Sequence, residues 1–536
     1  MKKRYLHYIM VLSIAFIWFS CNDYLDVMPD NRTELDSEEK ISKLLVSAYP
    51  ENAYILNAEL SSDNTDNYGE NNPYGDRYSD EVYHWQDVKE KNNEGIDAVW
   101  SACYGAIASA NQALEAIKEL GNPESLNAVR GEALIARAYS HFILVNMFCQ
   151  HYSEQHAEED LGVPYMEEPE KELFPKYERG TLARDYELMA KDIEEGLPLI
   201  NDNAYSVPKY HFNQKAAYTF ASRFYLFYQK WDKVIEYASV ALGSAPAALL
   251  RDYAKLVALP RDLRNVGIQY TGTSMKSNFL VQTSYSNLGI VFGAYYDGSR
   301  YNHGSLLAKF ETHNLAPWGA YPTSASDNTY GNMYKLRPYI YGGTNLDKTL
   351  FPRIPYQFEY TDPVAGIGYR RAVYAALTAE EALLNRAEAY VMKEQYDNAL
   401  SDINLWTGNT LDPARSTSQL TEAGIQAWAT GLAYYEPNIP TPKKRLNPDF
   451  ATIADGSKQE SFIHCLLYMR RHEFIHEGMR WFDVKRWGIE IYRRTVNADG
   501  RSIHMPVDDK LTVRDNRRAI QLPQDVITAG ITPNPR

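Results

Sequence analysis

The chain is poor in cysteine, with four in 536 residues. Cys103, Cys149 and Cys465 lie far apart, each beside apolar residues, and read as buried thiols rather than a disulfide framework. Positive charge is also short. The formal net charge is −14, which argues against nucleic acid, because phosphates call for a basic surface. No P-loop is present and no dinucleotide-type glycine fingerprint follows a strand, so nothing supports nucleotide chemistry. Past the N-terminal region no apolar run is long enough to cross a bilayer. Carboxylates are plentiful, but no spacing nominates a glycosidase pair, which is defined by distance across a cleft. Outside one H-E-x-x-H pattern near the C-terminus, the sequence nominates no catalytic residue, no metal and no cofactor.

The N-terminus carries the one membrane-directed feature. Lys2, Lys3 and Arg4 precede an apolar run from Ile9 to Phe19, followed by Ser20 and Cys21. This pattern reads as a signal peptide over 1–20. A cysteine at its end suggests a bacterial lipoprotein, cleaved before Cys21 and acylated on its sulfur. The alternative is a secreted protein without the lipid. Residues 21–36 are polar and read as a tether.

Tyrosine is abundant, at 42, with nine tryptophans. Such rings fill wide gaps between helices, or offer sugars an apolar platform with a polar rim; composition does not separate the two. Helical periodicity predicts helices over Ser37–Tyr49, Ile96–Leu120, Ser125–Tyr152, Thr181–Leu197 and Thr378–Met392, and over Asn213–Leu242 with a break near Lys230. An internal repeat sets Arg223, Trp231 and Asp232 against Arg386, Tyr396 and Asp397, the logic of tetratricopeptide-like helix pairs. Residues 57–91 are crowded with Asn, Asp, Gly and Tyr and read as loops. Asp63, Asn64, Asp66 and Asn67 only faintly suggest a calcium loop, and the EF-hand spacing is not met. The expected fold is mainly α: paired helices form a scaffold, with a large loop-rich region containing a few short β-strands, one near Phe279–Thr283. One domain is expected over 37–536, its helical frame at about 37–245, 377–405 and 460–490, with variable insertions at about 246–376 and 406–459.

The run from Arg470 to Gly488 has two readings. His472-Glu473-Phe474-Ile475-His476 fits H-E-x-x-H, which on a helix would place two imidazoles and a general base at a zinc ion. Met479 stands where the metzincin extension needs glycine. This reading makes the chain a secreted zinc metallopeptidase. The other reading is architectural: Phe474, Gly478 and Trp481, with Ile475, Met479 and Phe482, form an apolar helical stripe. Glu473 would then pair with Arg470, and Glu477 with Arg480.

Arg470, Arg471, Glu473, Phe474, Glu477, Gly478, Arg480, Trp481, Phe482, Asp483, Val484, Arg486, Trp487 and Gly488 match position by position a pattern that resembles the C-terminal signature of the SusD/RagB family. His472 and His476 fall on its free positions. Cys21 to Met28, Leu60 to Asn64, Arg386 to Tyr390, Leu522 to Asp525 and Asn534-Pro535 resemble other segments of that family. The resemblance implies a lipoprotein of the outer membrane, at the cell surface, anchored through Cys21. It implies a protein that binds oligosaccharides without cleaving them and passes them to a TonB-dependent transporter of the SusC type. Peptide-binding members make a peptide ligand the near alternative.

Loops on a rigid frame are where binding residues concentrate. One block offers Asp63, Asn64, Tyr68, Tyr74, Arg77, Tyr78 and Trp85. A second offers Tyr295, Tyr296, Asp297, Arg300, Tyr301, Trp318 and Tyr321. The expected ligand contacts are Trp318, Tyr296, Tyr295, Asn64 and Arg77.

Overall fold

The computed structural model describes residues 35–536, apart from 93, 173–174, 261, 294–298, 321–331, 342–344 and the side chain of Glu70. Cys21, Tyr295, Tyr296, Asp297 and Tyr321 therefore lie outside the described residues.

The fold is mainly α. Its longer helices are α1 (Glu38–Leu44), α2 (Ile55–Ser61), α3 (Arg77–Tyr83), α4 (Ile96–Glu119), α5 (Asn127–Phe148), α6 (Leu182–Gly196), α7 (Gln214–Phe227), α8 (Trp231–Leu242), α9 (Ala379–Met392), α10 (Tyr396–Thr410), α11 (Glu422–Gly431), α12 (Lys458–Glu473) and α13 (Met479–Arg486). Local chemistry sets several starts. Ser37, Thr181, Asn213 and Thr378 each accept a first-turn backbone N–H through the side chain, satisfying a donor the helix leaves orphaned.

Every residue of α5 from Gly131 to Phe148 is buried, which marks it as the central helix. It crosses α6 closely: a Cβ at Gly131 would lie 2.9 Å from the Gly196 carbonyl oxygen. Arg137 of α5 then spans to Asp192 of α6 through a bidentate pair at 2.6 and 2.8 Å. The repeat seen in sequence corresponds to two helix pairs, α7–α8 and α9–α10. Arg223 holds α7 to Glu381 of α9, and Arg386 holds α9 to Asp402 of α10 at 2.7 and 2.8 Å. One apolar cluster runs through the frame from Ile41 to Ile531.

The strands are few. An antiparallel sheet of order β2-β7-β6 joins β2 (Asn278–Tyr285), β7 (Ile367–Thr378) and β6 (Gln357–Asp362). The strand expected at Phe279–Thr283 lies within β2. Gln282 pairs with Tyr374, and Phe358 with Arg370. β7 runs directly into α9 through the Thr378 cap, which ties the sheet to the frame. Two-stranded pairs are β1 (Asp66–Asn67) with β3 (Tyr301–Asn302), β4 (Tyr339–Tyr341) with β5 (Lys348–Leu350), and β8 (Ile491–Arg493) with β9 (Asp509–Leu511).

Candidate functional site

The C-terminal motif is two helices, not one. α12 stops at Glu473, and α13 starts at Met479. Between them His476 has φ 65° and Gly478 φ 79°, left-handed values that end an α-helix. Gly478 is required twice over, since a Cβ there would sit 2.9 Å from a Tyr54 ring carbon and 3.2 Å from Ala58 Cβ. This corrects the expectation of a continuous stripe. It also removes the one-turn spacing that the zinc reading needs, because the second histidine lies past the helix end.

The expected ion pairs are rearranged for the same reason. Arg470 bonds Asp483 at 2.9 Å and Asn385 at 2.7 Å. Glu473 accepts the Trp406 indole N–H at 2.9 Å. Arg480 forms a bidentate pair with Asp63 at 2.7 and 2.8 Å. Arg486 bridges Asp483 and Glu388.

Arg480 belongs to a buried net that fastens the early loop block to the frame. Arg471 reaches Asn64 Oδ1 at 2.8 Å, the Asp63 carbonyl at 2.5 Å and Glu311 at 3.1 Å. Arg494 takes Asp66 at 2.8 Å through Nε and Nη2, and Glu311 at 2.7 Å through Nη1. Lys444 adds a contact to Glu311 at 2.8 Å. Arg493 donates to the carbonyls of Leu60, Ser61 and Ser62 at 2.8–3.0 Å. Burial alone would raise these carboxyls. Against it, Arg471, Arg480 and Lys444 hold Asp63 well below the usual carboxylate range, and Arg494, Lys444 and Arg471 hold Glu311 at about 2. Burial leaves Asp66 raised despite Arg494, while Asp63 and Glu311 stay charged and occupied. They are poor candidates for acid–base work or for a cation.

Above this net the two loop blocks meet. β1 pairs with β3 at Asp66↔Asn302 and Asn67↔Tyr301. Tyr68 N–H donates to the Arg300 carbonyl at 2.8 Å, and Arg300 N–H to that of Tyr74 at 2.9 Å. Arg300 Nε bonds Asn67 Oδ1 at 2.8 Å. The outer face of this junction is Pro73 to Arg77, exposed throughout. Tyr74 is 65% exposed. Arg77, the first residue of α3, leans on Glu81 at 2.8 Å with its side chain largely in solvent.

The sequence-predicted contacts separate sharply. Arg77 lies on this open face. Asn64 is fully buried, bonding Arg471 and Glu59. Trp318 is 1% exposed among Tyr334, Trp406 and Tyr468, with ring centroids 5.3–6.1 Å away. Neither offers a face to a ligand in this structure: the residue types suit sugar binding, but the core and the guanidinium net have claimed them. Tyr68, Tyr78, Trp85 and Tyr301 are likewise buried. Tyr74 carries the exposed ring, and its neighbours Pro73 and Gly75 were the available signal, since such residues mark a surface turn.

His472 and His476 join His303 and His313 in a buried layer. His472 stacks on Tyr334 at 3.9 Å and His476 on Phe292 at 4.4 Å. His313 lies 5.0 Å from His472, and His303 5.9 Å from His476. Among the described residues no group of three or more His, Cys, Asp or Glu side chains is arranged to hold a metal. Cys103, Cys149 and Cys465 are free and buried. No helix among the described residues is long and apolar enough to cross a membrane.

A family model described as "Starch-binding associating with outer membrane" and labelled SusD-like matches residues 23–226. No curated protein matches the chain. Among solved structures, a SusD superfamily protein from Bacteroides thetaiotaomicron aligns with TM-score 0.59 at 18% identity, over 92% of this chain and 98% of that one. A putative sugar binding protein from Bacteroides vulgatus aligns with TM-score 0.62 at 17% identity, over 94% and 99%. A SusD superfamily protein from the same species gives 0.61 at 18%, over 94% and 99%. At these identities the structural likeness speaks to the fold.

Proposed function

We propose that the chain is a member of the SusD/RagB family, whose model matches residues 23–226, and that it is a cell-surface lipoprotein that binds oligosaccharides without cleaving them. Acylation of Cys21 holds it to the outer membrane. Captured glycan passes to a partner TonB-dependent transporter of the SusC type. The observation that carries the binding role is the junction of the two loop blocks, where Tyr74 and Arg77 stand exposed on a rigidly fastened base. An aromatic face takes the apolar side of a sugar ring and a guanidinium takes its hydroxyls. Tyr295 and Tyr296 lie shortly before Ser299 and Arg300 in sequence, with Asp297 and Gly298 between, and are proposed as further contacts on that ground. Asn64 and Trp318 are assigned the role of fixing the base beneath.

Titration calorimetry of the chain from residue 22 onward against a panel of oligosaccharides, including maltoheptaose and a hexagalacturonate, tests this. At least one oligosaccharide should bind. Tyr74→Ala should weaken it about tenfold, the loss of one aromatic contact of roughly 1–1.5 kcal/mol. Arg77→Ala should weaken it by a smaller factor. Binding of peptides and of no glycan would overturn the glycan assignment.

A further inference from the structure

The hairpin formed by β6 and β7 stands out from the frame. From Glu359 to Ile367 every residue is exposed, and Tyr360 is 57% and Tyr369 48% exposed. A two-stranded ribbon gains little stability by itself in water, so aromatic rings left on one call for an explanation. Cross-strand register places Phe358 opposite Arg370 and Tyr360 opposite Gly368, and paired residues share a face of the ribbon. That face therefore carries two rings, one guanidinium and one missing side chain. The rings of Phe358 and Tyr360 meet edge-on at 4.9 Å. Gly368 lets the paired strand approach closely, since any Cβ there would collide with the Glu359 carbonyl at 2.0 Å and the Phe358 ring at 2.8 Å.

Beside the ribbon lies a cleft of about 250 Å³ lined by Ser286, Asn287, Phe358, Gly368, Tyr369 and Arg370. Arg370 donates one hydrogen bond, to Asn287 Oδ1 at 3.0 Å. Its other donors and the Asn287 amide N–H₂ have no partner among the described residues. The base of the cleft is fixed. Ser286 N–H donates to the Arg370 carbonyl at 3.2 Å, and Glu94 accepts from Ser286 Oγ at 3.2 Å and from Asn287 N–H. One aromatic wall facing a free guanidinium and a free amide suits a ring with an apolar face and a hydroxyl edge. A wholly apolar guest would leave those donors unpaired. The volume lies just under the 300–1,000 Å³ typical of a whole small ligand, and suits one ring of a longer chain.

We propose that this hairpin cleft is a second sugar-binding subsite. It takes a single pyranose ring of the bound oligosaccharide, its CH face on Phe358 and its hydroxyls on Arg370 and Asn287. The inference rests on the glycan-binding function proposed above. The cleft is distinct from the Tyr74–Arg77 face, and Glu94 links the two regions: its backbone carbonyl accepts from Asn57 at 2.9 Å, in the early block, while its carboxylate holds Ser286 and Asn287.

Calorimetry of the full mature chain with maltoheptaose and with hexagalacturonate separates the outcomes, the two probes distinguishing a neutral ring from a carboxylate-bearing one at Arg370. Phe358→Ala should weaken the probe that binds by about tenfold and Arg370→Ala by about threefold to tenfold, since each removes one of three contacts to the ring. Val364→Ser, fully exposed at the hairpin tip and outside the cleft, should leave affinity unchanged. Thermal melts unchanged in all three variants would show that the hairpin has not collapsed. Wild-type affinity in both cleft variants, with wild-type binding intact, overturns the subsite alone. A wild-type chain that binds no oligosaccharide of the panel, these two probes included, overturns the glycan reading and the subsite together.

Discussion

Arg480 and Asp63 show how much of this molecule rests on single buried charges. Both are taken out of water, so each is tolerable only because the other is there. Asp63→Asn leaves Arg480 without its counter-ion and Arg471 and Lys444 with one fewer. We expect it to cost about 3–5 kcal/mol of unfolding free energy, the usual penalty for stranding one partner of a buried pair. Urea denaturation of the two proteins measures this directly, and a difference under about 1 kcal/mol would mean that water reaches the pair. The residue scale is also where sequence reading reached least. Trp318 and Tyr74 are both aromatic residues among turn-forming neighbours, and only burial separates a core tryptophan from an exposed tyrosine. Burial here is decided by partners more than 80 residues away, such as Trp406 and Tyr468 for Trp318. No local pattern encodes that.

At the scale of elements, helices were the most legible because their signals are local. The 3.6-residue period placed the starts of α6, α7 and α9 within a residue, where Thr181, Asn213 and Thr378 cap them in the structure. The motif from Arg470 to Gly488 was recognisable as scaffold, yet its shape was not. A helical period continues on paper through Phe474 to Gly478, while tertiary packing of Gly478 against α2 imposes a left-handed turn. That turn builds the histidine layer, where α12, the 303–313 segment and the α12–α13 junction meet. Burial, first of all, lowers His303, His313, His472 and His476 below the ordinary 6.5; Arg353, Arg471 and neighbouring imidazoles push the same way. His303, His313 and His472, lowered well below that value, stay neutral in the fold but take a proton when unfolded below pH 6.5. The stability each contributes is therefore fully present above that pH and lost as pH falls, by up to about 1.4 kcal/mol per pH unit. Carboxyls raised by burial, Glu477 to about 8 and Glu94, Asp185 and Glu380 to about 7, work in the opposite direction over the same window. The difference between the wild type and His313→Phe isolates the layer: unfolding free energies at pH 7.5, 6.5 and 5.5 should fall less steeply below pH 6.5 in the variant, by about 1 kcal/mol per pH unit. Identical slopes in the two proteins would contradict a neutral His313 in the layer.

For the whole molecule, the family resemblance rests on the run from Arg470 to Gly488, and the mainly α architecture follows from it together with helical periodicity. The sheet was harder. β6 and β7 are joined by a short turn inside a stretch dense in Gly, Pro and Tyr, so alternation over Phe358 to Tyr360 is too brief to outweigh the loop composition. The resulting molecule is a rigid helical frame whose buried guanidinium groups fasten loops from the two ends and the middle of the chain into one surface. Capture, on this account, takes place on that surface and needs no moving chemistry. The most direct measurement is hydrogen exchange of the mature chain with and without the oligosaccharide selected by calorimetry. Protection should concentrate in 73–77 and 299–302, with a second patch at 286–287 and 358–370, and leave the helix pairs α7–α8 and α9–α10 unchanged. Protection confined to those helix pairs, with the loop junction unaltered, would contradict the central claim.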